Sequence, residues 1–385
     1  MSRAFNVAKG LVLNGCDVTV ITAFPHYPYG NIPRKYRWKP VVVEWKDNIR
    51  IIRTFILPLK SEGFVKRLLL MGVFGVSAFF GAIFVRDAKV IWGSSWLTAV
   101  FLGKLSHRPV VLNVDDLTIE DVDALGLMEE NSFFLKVARI VFTFFYRQGD
   151  AITPVSPGYV DVISKTYGVP RSRIHVVRAG VDLSTFKFKD EASRHEKFRV
   201  LYSGALSVAY DFDQVLLAAR ILKDEAPDVE FVIQGGGEYS EHISKAIREA
   251  ALNNVIFINK IISREEVANL LNSADALLLP LKDFGRPYLG LSTKLYEYQA
   301  IGKPIICCAN GIPAEYIQKT HSGIVVKPGH FEEICNSIIY LKKNKDVAKE
   351  MGENGRRYVE NNVFLEKIGF NMKILFEKLL NRNQE

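Results

Sequence analysis

The chain has 385 residues, which is too long for one compact core and suits two domains of ordinary size. Hydrophobic residues make up 48 % of it and charged residues 24 %, a globular composition that excludes a disordered protein. The formal net charge of +8 favours anionic partners, among which phosphates, nucleic acid and acidic lipid headgroups stay open.

The first residues carry a helical pattern and not a secretory signal. Apolar residues recur at helical spacing: Ala4, Val7, Ala8, Leu11 and Val12. Gly15 then ends the segment before the predicted strand Val18–Thr22. A chain that opens inside a helix feeding a strand suggests that a further element belongs before it.

The segment 68–85 carries no charge and, as a helix, would span about 27 Å, close to one hydrocarbon core. A spanning helix would place the predicted strands 18–22 and 90–93, which belong to one sheet, on opposite sides of a membrane. We therefore favour a helix that is buried in the first domain or dips into a membrane, while a helix lying on a membrane surface stays open.

Short apolar runs rich in Val and Ile alternate with helical patterns, which is typical of parallel βαβ units. The predicted strands of the first half are Val18–Thr22, Ile49–Thr54, Val90–Trp92, Val110–Val114, Ala151–Pro154 and His175–Val177. Those of the second half are Arg199–Ser203, Glu230–Gln234, Val255–Ile258, Ala276–Leu279, Pro304–Cys308 and Gly323–Val326.

This rhythm predicts an α/β fold of two Rossmann-like, doubly wound domains that face each other across a cleft. The domains are residues 1–186 and 198–363, joined by a polar linker at 187–197. We expect a final helix, 364–385, to pack back on the N-terminal domain. Ligands of such sheets bind beyond the carboxyl ends of the strands.

Two glycine turns follow predicted strands of the second domain. Gly204 and Ala205 follow one strand, and Gly235, Gly236 and Gly237 follow the next. A strand, a glycine turn and a helix N-terminus together suit phosphate oxygens, although a simple tight turn stays the alternative. The G-x-G-x-x-G spacing is absent, which disfavours a nicotinamide enzyme.

A helix is predicted to begin near Ser292, whose hydroxyl is placed to cap it. Lys294 and Glu297 lie three residues apart and hence on one helical face. Lys294 at the positive end of the helix suits a diphosphate, and Glu297 can accept two ribose hydroxyl groups. An ordinary surface ion pair between the two is the alternative.

The runs STKLYEYQAIGKPIICC, GIPAEYIQKTHSGIVVKPG and MGENGRRYV resemble the C-terminal half of the retaining family-4 glycosyltransferases of the GT-B fold. The N-terminal half of that family is similar to RAFNVAKGLVLNGCDVTVITAFPHYPYG, DDLTIEDVDALG and ITPVSPGYVDVISKTYGVPRSRIHVVRAGVDLSTF. The branch it resembles most builds surface polysaccharides on lipid-linked acceptors, as colanic-acid and fucosamine-type transferases do.

The resemblance implies a retaining transfer of a hexosyl or N-acetylhexosaminyl group from a nucleotide-diphosphate sugar, without a cofactor or metal. The implied donor-binding residues are Gly204, Ala205, Gly235, Gly236, Gly237, Ser292, Thr293, Lys294 and Glu297. Asp115 and Asp116 match the family's catalytic pair. The departing phosphate takes the acceptor proton, so positioning and stabilisation of the leaving group supply the catalysis.

The sequence departs from the family pattern at three places. Leu289 stands where the first of two glutamates is usual, and the basic residue after the glycine loop is absent from 206–210, so Lys294 or Arg286 is expected to replace it. The family also opens with a strand and a glycine-rich turn, together about twenty residues, before the helix that begins here at Ser2. An earlier translation start is the favoured explanation, ahead of a fragment or a lost strand.

His26 and Tyr27 are candidates for contact with the acceptor, a lipid-linked glycan. The basic and aromatic residues at 34–39 favour peripheral contact with an anionic membrane surface over nucleic acid. We therefore expect a cytoplasmic protein at the inner face of the plasma membrane. A sugar-nucleotide epimerase of similar shape and a truncated, non-catalytic nucleotide-sugar-binding protein are the alternative functions.

Overall fold

The alternation of strands and helices along the chain produces two α/β units. The computed structural model describes residues 3–26, 30–59, 64–85, 87–117, 119, 133–189, 196–285 and 287–382. One unit comprises Ser2–Arg178 together with Leu365–Glu385, and the other comprises Ala179–Phe364. We call them the N-terminal and the C-terminal unit.

The described strands of the N-terminal unit form two three-stranded sheets with the orders β1-β3-β2 and β4-β5-β6. Five of the six strands pair in parallel, and β2 runs antiparallel to β3. The strands are β1 (Thr19–Ala23), β2 (Val41–Lys46), β3 (Ile49–Thr54), β4 (Ile91–Gly93), β5 (Val110–Val114) and β6 (Ala151–Pro154). The helices are α1 (Arg3–Leu13), α2 (Phe64–Ala82), α3 (Trp96–Ser106), α4 (Phe133–Gln148) and α5 (Tyr159–Lys165).

The strand β2 was missed by the sequence prediction, and the predicted strand 175–177 was wrong. Asp47 and Asn48 join β2 to β3 with φ values of 51° and 59°, the conformation of a two-residue type I′ hairpin turn. An Asp-Asn pair between apolar runs is therefore the signal that could have revealed β2. Residues 175–177 run beside β6 and donate two backbone hydrogen bonds to it, but they form no ladder.

The last helix, α13 (Leu365–Arg382), lies against α1 in the N-terminal unit. The two helices cross where Gly10 meets Gly369, because a Cβ at Gly369 would lie 2.0 Å from the carbonyl carbon of Gly10. Lys373 Nζ donates a hydrogen bond of 3.0 Å to the carbonyl oxygen of Asn14 beside this crossing. Two glycines thus allow the C-terminal helix to approach the N-terminal one at backbone distance.

The C-terminal unit is built on a single six-stranded sheet of order β12-β11-β10-β7-β8-β9, in which every pairing is parallel. Its strands are β7 (Phe198–Ala205), β8 (Val229–Gly236), β9 (Val255–Asn259), β10 (Ala276–Pro280), β11 (Ile305–Cys308) and β12 (Gly323–Val326). Its helices are α6 (Phe212–Glu225), α7 (Ser240–Glu249), α8 (Arg264–Asn272), α9 (Thr293–Ile301), α10 (Ile312–Thr320), α11 (Phe331–Lys343) and α12 (Lys345–Asn362). The predicted α/β class and the two Rossmann-like domains are confirmed.

Gly369→Ala is expected to destabilise the N-terminal unit by about 1–3 kcal/mol, because the added methyl group would force α1 and α13 apart. The matched variant Gly72→Ala adds a methyl group to α2, where no atom lies within 4 Å. It is expected to leave stability unchanged or to raise it by up to about 1 kcal/mol through helix propensity. Urea denaturation followed by circular dichroism measures both changes, and equal stabilities for the two variants would contradict the close crossing.

Candidate functional site

The two glycine turns of the C-terminal unit lie side by side at the carboxyl edge of its sheet. Strands β7 and β8 stay in register to their ends, so that Gly204 pairs with Gly235 and Ala205 with Gly236. A Cβ at Gly235 would lie 1.8 Å from the carbonyl oxygen of Gly204, and one at Gly237 would lie 2.2 Å from that of Leu206. Close approach of two backbone segments therefore requires these glycines, and a simple flexible turn does not account for them.

Lys294 lies directly against the first of these turns. Helix α9 begins at Thr293, and the hydroxyl group of Ser292 caps it by accepting a hydrogen bond from the backbone N–H of Lys294, as the sequence predicted. A Cβ at Gly204 would lie 2.0 Å from Cε of Lys294, so a larger residue there would displace the Lys294 side chain from this position. The structure thus brings together the glycine turn and the lysine that the sequence singled out.

Two tyrosines fix the ammonium group of Lys294. Its Nζ donates a hydrogen bond of 2.8 Å to the hydroxyl oxygen of Tyr210 and stands 4.7 Å from the centroid of that ring. The ring of Tyr202 lies 5.7 Å from the same nitrogen. Because aromatic faces attract cations without neutralising them, the positive charge stays available for an anion.

Glu297 pairs with Arg264 and not with Lys294, so the alternative of a simple pair along the helix is wrong. Arg264 Nη2 lies 2.5 Å from Oε1 of Glu297, and the guanidinium group stacks 4.6 Å from the centroid of the Phe186 ring. The Glu297 side chain is mostly buried, while its second carboxylate oxygen is not used by this pair. Arg264 was missed, although a cation in the first turn of α8 is the same signal that drew attention to Lys294.

The far end of α9 is held by α12. Arg356 donates hydrogen bonds to the carbonyl oxygens of Ala300 and Phe186, the latter at 3.0 Å. A Cβ at Gly352 would lie 2.1 Å from the carbonyl oxygen of Gly302. The run MGENGRRYV therefore acts through packing, because it sets the position of the helix that carries Lys294 and Glu297.

Asp115 and Asp116 follow β5 in the N-terminal unit, and a buried arginine holds the first of them. Arg3 Nη1 lies 2.9 Å from Oδ1 of Asp115, and its Nη2 donates hydrogen bonds to the carbonyl oxygens of Thr153 and Val177. Arg3 is 6 % exposed, and sequence reasoning missed it because it counted only the apolar face of α1.

Asp116 has a different environment from its neighbour. Its side chain reaches solvent on one side, yet the surrounding protein atoms remove part of its hydration, and this desolvation raises its pKa above the ordinary value. The negative charge of Asp115 raises the pKa further. The two carboxyl groups, adjacent in sequence, are therefore not equivalent.

The other predicted residues are less informative. His26 is half-buried, and its Nδ1 lies 3.0 Å from the carbonyl oxygen of Phe24. Tyr27 and Arg286 lie outside the described residues. Among the described residues, no group of three or more His, Cys, Asp or Glu side chains has the arrangement of a metal site.

Comparison with known proteins identifies the family. Residues 2–185 match the model described as Glycosyltransferase Family 4, and residues 184–358 match the model described as Glycosyl transferases group 1. The chain belongs to family 4 of the glycosyltransferases. The predicted family and the GT-B fold are thereby confirmed, and the alternative of an epimerase is not supported.

Relatives of this glycosyltransferase include proteins named for polysaccharide synthesis. The putative colanic acid biosynthesis glycosyl transferase WcaI of Escherichia coli is 27 % identical over 90 % of each chain. The amylovoran biosynthesis glycosyltransferase AmsK of Erwinia amylovora is 25 % identical over 52 % of this chain. The matched region spans about half of AmsK, 49 % of its length.

Solved structures of similar fold cover nearly the whole chain. Sucrose-phosphate synthase of Thermosynechococcus elongatus has a TM-score of 0.76 at 18 % identity, over 98 % of this chain and 93 % of that one. Anabaena Alr3699/HepE, solved in complex with UDP and glucose, has a TM-score of 0.70 at 14 % identity, over 97 % and 95 % of the two chains. At these identities the likeness concerns the fold alone.

Asp116→Asn is expected to raise the melting temperature at neutral pH and to change it less near pH 3. A raised pKa means that the folded chain holds this proton more tightly than the unfolded chain, so the ionised carboxylate opposes folding above the raised pKa. Below the ordinary value of 3.8 the carboxyl group is protonated in both states and the cost disappears.

Asp115→Asn provides the contrast, because it removes the counter-charge of the buried Arg3 guanidinium group. We expect this variant to lower the melting temperature at neutral pH. Differential scanning calorimetry of both variants across this pH range makes the comparison, and the same sign of change for both at neutral pH would contradict the assigned environments.

Proposed function

We propose that this glycosyltransferase moves a hexosyl or N-acetylhexosaminyl group, with retention, from a nucleotide-diphosphate sugar to a lipid-linked or polysaccharide acceptor in cell-surface glycan synthesis. The contact of Lys294 with the turn at Gly204 is the observation that supports a nucleotide-diphosphate sugar as the donor. The names of the colanic acid and amylovoran relatives support the glycan part.

The donor diphosphate is assigned to the turns at Gly204–Ala205 and Gly235–Gly237, together with the first turn of α9. Backbone N–H groups, the positive end of the helix dipole and the Lys294 ammonium group all favour an anion there. Ser292 and Thr293 begin the same helix turn. The absence of side chains on the glycines allows phosphate oxygens to approach the backbone closely.

The donor ribose is assigned to Glu297, one helical turn after Lys294. Arg264 holds one carboxylate oxygen, which fixes the rotamer, and the other is left to accept ribose hydroxyl groups. Hydrogen bonds to a charged acceptor are worth roughly 1.5–3 kcal/mol each. In this assignment Arg264 is a positioning residue.

Transfer with retention requires the bond between the anomeric carbon and the diphosphate oxygen to break while the acceptor oxygen bonds to the same face. The acceptor proton passes to the departing phosphate, so the step needs no enzyme nucleophile. Lys294 and the backbone N–H groups then stabilise the charge that develops on the leaving group. No metal or cofactor is required in this scheme.

Asp115 and Asp116 are the proposed catalytic residues, and His26 and Tyr27 are the proposed acceptor-side residues. These assignments rest on the family resemblance. We further propose a peripheral position at the anionic cytoplasmic face of the plasma membrane, because a lipid-linked glycan presents its sugar at that surface.

Glu297→Gln and Lys294→Met are each expected to weaken binding of the matching nucleotide-diphosphate sugar about ten- to hundredfold, the loss of one charged hydrogen bond or charge contact. Thermal stabilisation by a panel of such sugars identifies the donor, and isothermal calorimetry measures the affinities. The matched exposed controls Glu332→Gln and Lys343→Met lie on α11 and are expected to bind as the unaltered chain does. Equal affinities for site and control variants would refute the donor assignment.

The transfer itself is tested with the donor so identified and a lipid-linked glycan extract. Nuclear magnetic resonance of the product reports the anomeric configuration, and we expect the configuration of the donor to be kept. An inverted product would contradict the retaining mechanism, and conversion of the donor without transfer would favour the epimerase.

A further inference from the structure

The outward side of α2 is apolar where a water-facing helix is normally polar. Four of its large side chains, spread over three turns, are between 48 % and 67 % exposed: Leu69, Met71, Val76 and Phe80. From Leu68 to the end of the helix the sequence contains no charged residue. Helices of soluble domains place polar residues on the side away from the core, so this surface calls for a partner.

The same property extends over the two neighbouring helices. Phe101 on α3 and Phe144 on α4 are more than half exposed, and further apolar side chains are exposed one turn away on each helix. Phe79 of α2 lies 5.5 Å from Phe101, and Trp96 of α3 lies 4.9 Å from Phe142 of α4, measured between ring centroids. The helices α2, α3 and α4 are therefore neighbours, and we call their exposed apolar side chains together the apolar helical face.

An open groove of about 870 Å³ lies on this face, between α2 and the β2–β3 hairpin. Its lining includes Pro40, Val41, Phe55, Val73 and Phe80. Among the described lining residues, Ser77 is the one with a polar side chain, and its hydroxyl group donates to the carbonyl oxygen of Phe55 at 2.7 Å. The groove therefore offers contact area to hydrocarbon and little hydrogen bonding to a polar ligand.

Positive charge is concentrated in the segments that form and flank the face. The helices α2, α3 and α4 contain six Lys or Arg residues and no Asp or Glu. Residues 30–85 contain ten Lys or Arg and three Asp or Glu, a net charge of +7 in a chain whose total is +8. Trp38 is fully exposed in the basic loop that leads into the groove at Pro40.

We propose that the apolar helical face embeds in the boundary between headgroups and acyl chains of an anionic bilayer, with the groove filled by lipid chains. The cations meet the headgroups, and the exposed apolar side chains enter the layer beneath them. Within the described part of the chain, no helix is both long and apolar enough to cross a membrane. A second copy of the chain fits this face poorly, because a two-fold interface would set like charges against each other.

This inference deepens the proposed function and rests on it for the lipid-linked acceptor, but lipid binding is measured without any sugar. Vesicle flotation compares mixed phosphatidylglycerol–phosphatidylcholine vesicles with pure phosphatidylcholine vesicles. We expect the chain to prefer the anionic vesicles and molar salt to remove that preference. Brominated acyl chains are expected to quench part of the tryptophan fluorescence of the chain, because Trp38 is fully exposed beside the groove. Adsorption to headgroups alone would leave this fluorescence unquenched.

The double variant Val76→Asp/Phe80→Asp is expected to bind anionic vesicles at least roughly tenfold more weakly, because two carboxylates would have to enter the apolar layer. Phe370→Asp is the matched control, since Phe370 lies on α13 of the same unit and is 48 % exposed. A second variant, Val76→Ser/Phe80→Ser, keeps the net charge and is expected to lose binding in the same direction. Melting temperatures measured alongside confirm that all variants are folded.

Three results would overturn the proposal: unchanged binding by both double variants, equal losses for Phe370→Asp, or no quenching by brominated chains. A lipid-free dimer that the double variants dissociate would also overturn it, because the face would then be an interface between copies. Calorimetric affinity for the nucleotide-diphosphate sugar is measured on the same variants and is expected to be unchanged. Loss of lipid binding with retained donor affinity separates failure of this inference from failure of the proposed function.

Discussion

The contact between the Lys294 side chain and the backbone of Gly204 is the constraint on which the proposed donor site depends. It requires a glycine at the end of β7, a second glycine beside it at the end of β8, and a helix whose first turn points at both. Tyr202 and Tyr210 hold the ammonium group without cancelling its charge. An anion can therefore bind there without rearrangement of the surrounding protein. Such preorganisation is the condition for electrostatic stabilisation of a leaving group.

The N-terminal unit follows a different physical principle. The side chain of Arg3 binds to residues at the ends of β5 and β6 and to the carbonyl oxygen of Val177. Its partner Asp115 is partly exposed to solvent. On its outer side the unit exposes apolar helices where a water-facing protein would place charge. In the C-terminal unit, glycines and an arginine hold α9 in position. On α2, α3 and α4 of the N-terminal unit, the exposed surface consists largely of apolar and basic side chains.

Much of the fold followed from the sequence because parallel strands buried on both faces read as apolar runs. The start of α9 was also predictable, since a serine cap is a local signal. The pairing of Glu297 with Arg264 was not, because these residues lie 33 positions apart and only the crossover of α8 and α9 brings them together. Arg3 was missed because only the apolar face of α1 was counted, and its hydrogen-bond partners lie more than a hundred residues away in the sequence. The exposure of α2 was left open, because an uncharged run is equally compatible with a buried helix and a lipid-facing one.

The most direct test of the central claim is a crystal structure of the chain in complex with the nucleoside diphosphate of the donor that the panel of nucleotide-diphosphate sugars identifies. The account predicts the β-phosphate within hydrogen-bond distance of Lys294 Nζ and of backbone N–H groups in the turn at Gly204, with the ribose hydroxyl groups on Glu297. A nucleotide bound elsewhere, with Lys294 still on Tyr210 and Glu297 still bonded only to Arg264, would contradict it.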